Sequence, residues 1–128
     1  MLLRVPNLFE PYWYGDEGIY LTVGQAIRDG ERLYTEIVDH KTPLIYYFAS
    51  VPNQLSFRAL TMLWMIMTTS AFYAVAKKLL SKNRGVNAAT FLFVILSSVP
   101  WFEGNIPSGE LLVMGFIWLG AWLLSSTK

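Results

Sequence analysis

Long uncharged runs dominate the second half of the chain, and short apolar stretches broken by charge fill the first. Residues 60–80 carry no charge before Lys77, and residues 86–102 and 111–124 carry none. A bilayer core takes about 20 mostly apolar residues per helix. The pattern predicts an all-α polytopic membrane protein with about three transmembrane helices, over 58–80, 86–102 and 109–126. Upstream, Ile19, Val23, Ala26 and Ile27 recur at helical spacing and predict one amphipathic helix over 17–29. Gly30 is placed to end it. Residues 43–52 (PLIYYFASVP) are apolar and aromatic but only about half a span, which predicts a segment lying at the membrane interface. Residues 1–57 thus read as an outer loop with amphipathic juxtamembrane helices, and 58–128 as the transmembrane region.

Composition agrees with a membrane setting. Of 128 residues, 54% are hydrophobic and 15% charged, too apolar for an ordinary small soluble domain. The net charge of +1 gives no footprint for nucleic acid. The run before Arg4 is too short for a signal peptide and reads as the last turn of a helix that begins earlier. Lys77, Lys78, Lys82 and Arg84 join the first two predicted spans, and short basic loops stay cytoplasmic. That predicts a multi-pass plasma-membrane protein with a periplasmic or extracellular working face, and all nine acidic residues, falling on the outer side or at its boundary, support it. An odd number of spans with the first segment outside predicts a further span upstream, so the chain reads as a fragment or as one with a wrong start site.

Against that background the charged residues stand out. Asp16 and Glu17 lie in "EPYWYGDEGIY", flanked by Tyr12, Trp13, Tyr14 and Tyr20. The plain reading is a helix cap, since Asp is favoured there and acids in a first turn complement the helix dipole. The sharper reading is a carboxylate facing a cleft, with aromatic rings that suit either a membrane interface or a sugar. His40 and Lys41 follow in "DHKTPLIYY", and Arg58 opens the first long helix. By default His40 is a structural histidine, Lys41 a snorkelling side chain and Arg58 an interfacial anchor; the sharper reading makes the two cations contacts to a lipid phosphate. Glu103 and Glu110 bracket "GNIPSG" at the outer end of two helices. No GxGxxG, P-loop, HExxH or zinc spacing occurs.

Four features together carry a resemblance: an Arg-x-Pro start, "GDEGIY", "GERLYTEIVDHKTPLIYYFA", and Arg58 before a long apolar helix. They resemble the N-terminal region of GT-C glycosyltransferases of the protein-mannosyltransferase type (glycosyltransferase family 39). The resemblance spans essentially the whole chain and is most specific over residues 4–49. It implies transfer of a sugar from a polyprenyl-phosphate donor to a hydroxyl of a protein, lipid or glycan acceptor. By the same resemblance Asp16 is the catalytic base and Glu17 its partner, and Lys41, Arg58 and His40 face the donor phosphate. Tyr14, Tyr20 and Glu110 would line the substrate. A divalent metal on Asp16 and Glu17 is an open alternative, because some relatives use one and others do not. Thr42 stands where the family's lysine motif has a proline. Such enzymes have many further spans, so activity is not expected of this segment alone. The competing reading is a small membrane scaffold or assembly partner whose Asp-Glu pair only caps a helix. The two differ in what Asp16→Asn should do, because Asn caps about as well as Asp.

Overall fold

The computed structural model describes residues 2–11 and 14–126. Tyr12, Trp13 and Lys128 lie outside the described residues. Most of the described residues are helical: α1 (Gly15–Arg28), α2 (Pro43–Phe48), α3 (Gln54–Leu79), α4 (Asn83–Leu96) and α5 (Gly109–Ser126), with single-turn 3-10 helices at Leu2–Arg4, Pro6–Leu8 and Pro100–Phe102. Among the described residues no strand forms, and one isolated bridge joins Leu33 and Ile37.

Two helices, α3 and α5, are long and apolar enough to cross a membrane. At 1.5 Å per residue they run about 39 and 27 Å. The expected span over 86–102 is shorter than the sequence suggests. Its helix, α4, stops at Leu96 after 14 residues, about 21 Å. Pro100 disfavours helical backbone at Val99, which is extended at ψ 133°, and the chain turns back through Pro100–Phe102.

α3 is the central post, with α4 and α5 against it. Thr61, Met65, Thr68, Ala71 and Val75 form its buried stripe. Small residues let the neighbours come close. Trp64 lies on Gly115 of α5, where a Cβ would stand 2.3 Å from its indole nitrogen, and its N–H bonds Leu111 O at 3.1 Å. Lower down, Phe72 of α3 stacks on Phe93 of α4 at 4.3 Å between centroids, and Trp118 of α5 meets Phe72 edge-on at 4.6 Å.

α1 and α2 make a platform at one end of these helices. Their interface, with the start of α3, is a core of Tyr20, Val23, Ile45, Tyr46, Ala49, Phe57 and Leu112. The helix starts at Gly15, two residues before the expected position, and its buried face is Glu17, Tyr20, Val23 and Gly24. Ile19, assigned to the apolar face from spacing, is exposed instead. Gly30 does end the helix, at φ 98°, with Glu31 N–H bonding Ala26 O and Gly30 N–H bonding Ile27 O. That left-handed conformation costs a glycine nothing. The 43–52 segment is also more deeply placed than expected. Ile45 and Tyr46 of α2 are buried in the platform core, while Leu44 and Tyr47 face outward.

The N-terminal turns clip onto α3 and the loop between α4 and α5. Arg4 is buried and donates to the carbonyls of Ser97 and Gly104. Gly104 must be glycine here, because a Cβ would lie 2.6 Å from the Ser97 carbonyl. Asn7 Nδ2 bonds Asn105 O at 2.8 Å. The guanidinium of Arg4 is held by carbonyls rather than by a carboxylate, and burial pulls its pKa down to about 10.

Candidate functional site

The two adjacent acids of α1 part company, as residues 100° apart on a helix must. Glu17 points into the protein and is fully buried. Its Oε1 accepts from Arg58 Nε and its Oε2 from Arg58 Nη2, both at 2.7 Å, and Gln54 Nε2 adds a third bond at 3.2 Å. The remaining edge of the Arg58 guanidinium donates to Asn7 O at 2.7 Å and Glu10 O at 2.5 Å. This is the bidentate geometry in which a buried ion pair is tolerated. Arg58, expected at a donor phosphate, is instead enclosed, with its donors directed at Glu17 and two carbonyls. Glu17, expected as a catalytic partner, has both oxygens occupied by Arg58 and Gln54.

Asp16 faces the other way. It does not cap α1: Tyr14 is the N-cap residue, and its side chain makes no capping bond. Asp16 lies within the first turn, where its charge suits the dipole. Its Oδ2 accepts from Tyr20 Oη at 3.1 Å and lies 3.6 Å from Lys41 Nζ. Both side chains of this ion pair are 34% exposed, so the pair is open to solvent and to ligand. Burial, and then the neighbouring Asp16, raise the pKa of Tyr20, which therefore donates throughout the physiological range.

Lys41 is held by its backbone. Its N–H bonds Tyr46 Oη at 3.1 Å, and that hydroxyl donates to Asp39 Oδ2 at 2.7 Å. Its carbonyl accepts from Tyr34 Oη at 2.5 Å. Tyr34 adopts a left-handed φ of 66° inside the same turn. Burial, then the bond to Asp39, pushes the Tyr46 phenol up to about 12. The bond from Tyr46 in turn lowers the Asp39 carboxyl. His40 turns to solvent, with Nδ1 2.8 Å from Asp39 Oδ1.

A groove of about 530 Å³ runs down from this turn along α5. His40, Lys41, Thr42 and Glu110 line its polar mouth, and Val113, Met114, Ile117 and Trp118 its apolar wall. Glu110 is exposed at the first turn of α5. Tyr14 Oη donates to Glu103 Oε2 at 3.1 Å, and burial, followed by that bond, pushes its pKa up to about 12. The negative charges of Asp16, Glu103 and Glu110 all act on Tyr14, and those of Asp16 and Glu110 on Tyr20. The structure therefore gathers Asp16, Tyr20, Lys41, His40, Glu110 and Tyr14 at one end, and withdraws Glu17 and Arg58 beneath them.

A divalent ion shared by Asp16 and Glu17 does not fit this arrangement. Their carboxylates diverge, Glu17 is saturated, and among the described residues no three His, Cys, Asp or Glu side chains converge for a metal. Sequence reasoning missed Gln54, Asp39 and Tyr46. Asp39 and Tyr46 are seven residues apart, and only the turn between them makes them partners.

Among the described residues the fold is all-helical, with two helices long and apolar enough to cross a membrane, and Asp16 pairs with a lysine that lines the polar mouth of an apolar groove. Compared with family models, curated proteins and solved structures, the chain matches none.

Proposed function

We propose that this chain belongs to a membrane glycosyltransferase that moves a sugar from a polyprenyl-phosphate donor to an acceptor hydroxyl at the outer face. In this reading α3, α4 and α5 are three membrane-embedded helices, the basic α3–α4 turn is cytoplasmic, and the Asp16 end is outside. The observation that carries the proposal is Asp16 lying 3.6 Å from Lys41, a lysine that lines the mouth of an apolar groove. A lipid-linked sugar phosphate has the same order of parts: prenyl tail, anionic phosphate, then sugar.

The chemistry is a single displacement. The acceptor O–H gives its proton to Asp16 as its oxygen bonds the anomeric carbon. The bond from that carbon to the phosphate oxygen breaks, and the electron pair leaves on the lipid phosphate. Lys41 stabilises that departing anion. One displacement inverts the anomeric centre. Tyr20 fixes the Asp16 rotamer, and Glu17 with Arg58 fixes the helix that carries it, which is what a positioned base requires.

The test is Asp16→Asn in the intact protein, assayed for sugar transfer from a lipid-phosphate donor. Loss of a general base should slow transfer by about 10²–10⁴-fold. Lys41→Met should slow it as well, with folding unchanged in both variants. Normal transfer by Asp16→Asn sinks the assignment of Asp16 as the base, whereas no transfer by the unsubstituted intact protein favours the scaffold reading.

A further inference from the structure

At the end opposite Asp16 the charged side chains of the described residues are of one sign. Between Arg58 and Glu103 the only charged residues are Lys77, Lys78, Lys82 and Arg84. All four are exposed, at the end of α3 and the start of α4, joined by three residues. Every acidic residue of the chain lies before Arg58 or at 103 and 110, on the far side of an α3 that is about 39 Å long. Among the described residues no acidic side chain therefore neutralises this cluster.

The cluster is also set at a fixed level. Lys78 Nζ donates to Ser125 O at 2.7 Å and Ser126 Oγ at 3.0 Å, closing the C-terminus of α5. Lys77 Nζ rests 5.8 Å from the Tyr73 ring centroid. Leu79 and Leu80, between these lysines and Lys82, are exposed. Cations alternating with exposed leucines at the common end of two apolar helices match a leaflet boundary, where leucine enters the acyl region and ammonium groups reach the phosphates.

We infer that the α3–α4 turn binds the anionic headgroups of the membrane leaflet it faces, with Lys82 and Arg84 as the principal phosphate contacts. The inference rests on the membrane reading above but not on sugar transfer. The occupant is a lipid headgroup, because the exposed leucines beside the cations leave no suitable neighbour for a soluble anion.

The experiment reconstitutes the intact protein in phosphatidylcholine vesicles and compares the motional restriction of spin-labelled phosphatidylglycerol and phosphatidylcholine. Phosphatidylglycerol should be preferred several-fold, with each basic residue contributing up to about fivefold at low salt. The preference should collapse near 1 M salt, where the screening length is about 3 Å. The double variant Lys82→Gln with Arg84→Gln should lose most of it, the charge-preserving swap Lys82→Arg with Arg84→Lys should keep it, and Arg32→Gln at the opposite end should leave it unchanged. Restricted phosphatidylcholine with no preference, or a preference untouched by the double Gln variant, overturns this inference alone. No restricted lipid of either kind overturns it together with the membrane reading.

Discussion

Glu17 and Arg58 meet across 41 residues of chain through two parallel 2.7 Å hydrogen bonds, with both side chains almost wholly buried. The pair ties α1 to the top of α3, and through Asn7 and Glu10 it ties the N-terminal turns to both. Removing one partner leaves the other charge buried and unpaired, at a cost of about 3–5 kcal/mol. Glu17→Gln and Arg58→Met should each lower the thermal midpoint strongly in detergent. The combination Glu17→Leu with Arg58→Met should cost much less than the sum of the singles. Additive losses would show that the two side chains act independently.

The contact between α1 and α2 depends on an absent side chain. A Cβ on Gly24 would lie 2.4 Å from Ala49 O, a backbone atom that cannot swing aside. Gly24→Ala should therefore destabilise by about 1–3 kcal/mol, as overpacking does. Gly18, on the same helix, has open space where a methyl group would stand, with nothing within 4 Å. Gly18→Ala should be neutral or stabilising by up to about 1 kcal/mol. Urea midpoints of the two variants, measured side by side, check this.

Arg4 offers a stabilising change. Its Nε and the Oδ1 of Asn105 are both buried without a hydrogen-bond partner, and both residues line the same small void. Asn105→Asp puts a carboxylate beside an uncompensated guanidinium and should raise the melting temperature at neutral pH. The new carboxyl would have a folded pKa below its unfolded value of about 3.9. Its stabilisation is then present above that value and disappears as pH falls through the folded pKa. A gain that persists at pH 2 would contradict the ion-pair explanation.

Alkali should release the turn that carries Lys41. The Tyr46 phenol titrates near 12 in the folded chain, against about 10 when unfolded. A pKa raised on folding stabilises below the unfolded value, and that contribution is lost as pH rises from about 10 towards 12. Absorbance at the phenolate band should show Tyr46 titrating late, with unfolding following it. Tyr46→Phe should weaken this alkaline transition, leaving the share that Tyr14 and Tyr20 carry, and loosen Lys41, whose N–H it deprives of an acceptor.

Much of this architecture could be read along the chain. Uncharged runs located α3 and α5, because burial of apolar surface, in protein or lipid, needs only composition over a length. Gly30 marked the end of α1, because a left-handed residue is a local demand. The outward carboxylate and the lysine downstream could be named as candidates, because few charged groups interrupt such an apolar chain. Local rules failed where distant segments decide the outcome. Neither the apolar period nor capping preference shows that Glu17, not Ile19, lies on the buried face of α1, since that depends on an arginine 41 residues away. Nor do they show the path of the loop after α4, where Arg4 bridges the carbonyls of Ser97 and Gly104. Residue order along the chain was enough to say where helices form and which charges must be accounted for. Packing in three dimensions was needed to choose which of two adjacent acids is neutralised inside and which is left half-exposed beside Lys41. A helix turns 100° per residue, so only one of them can meet Arg58.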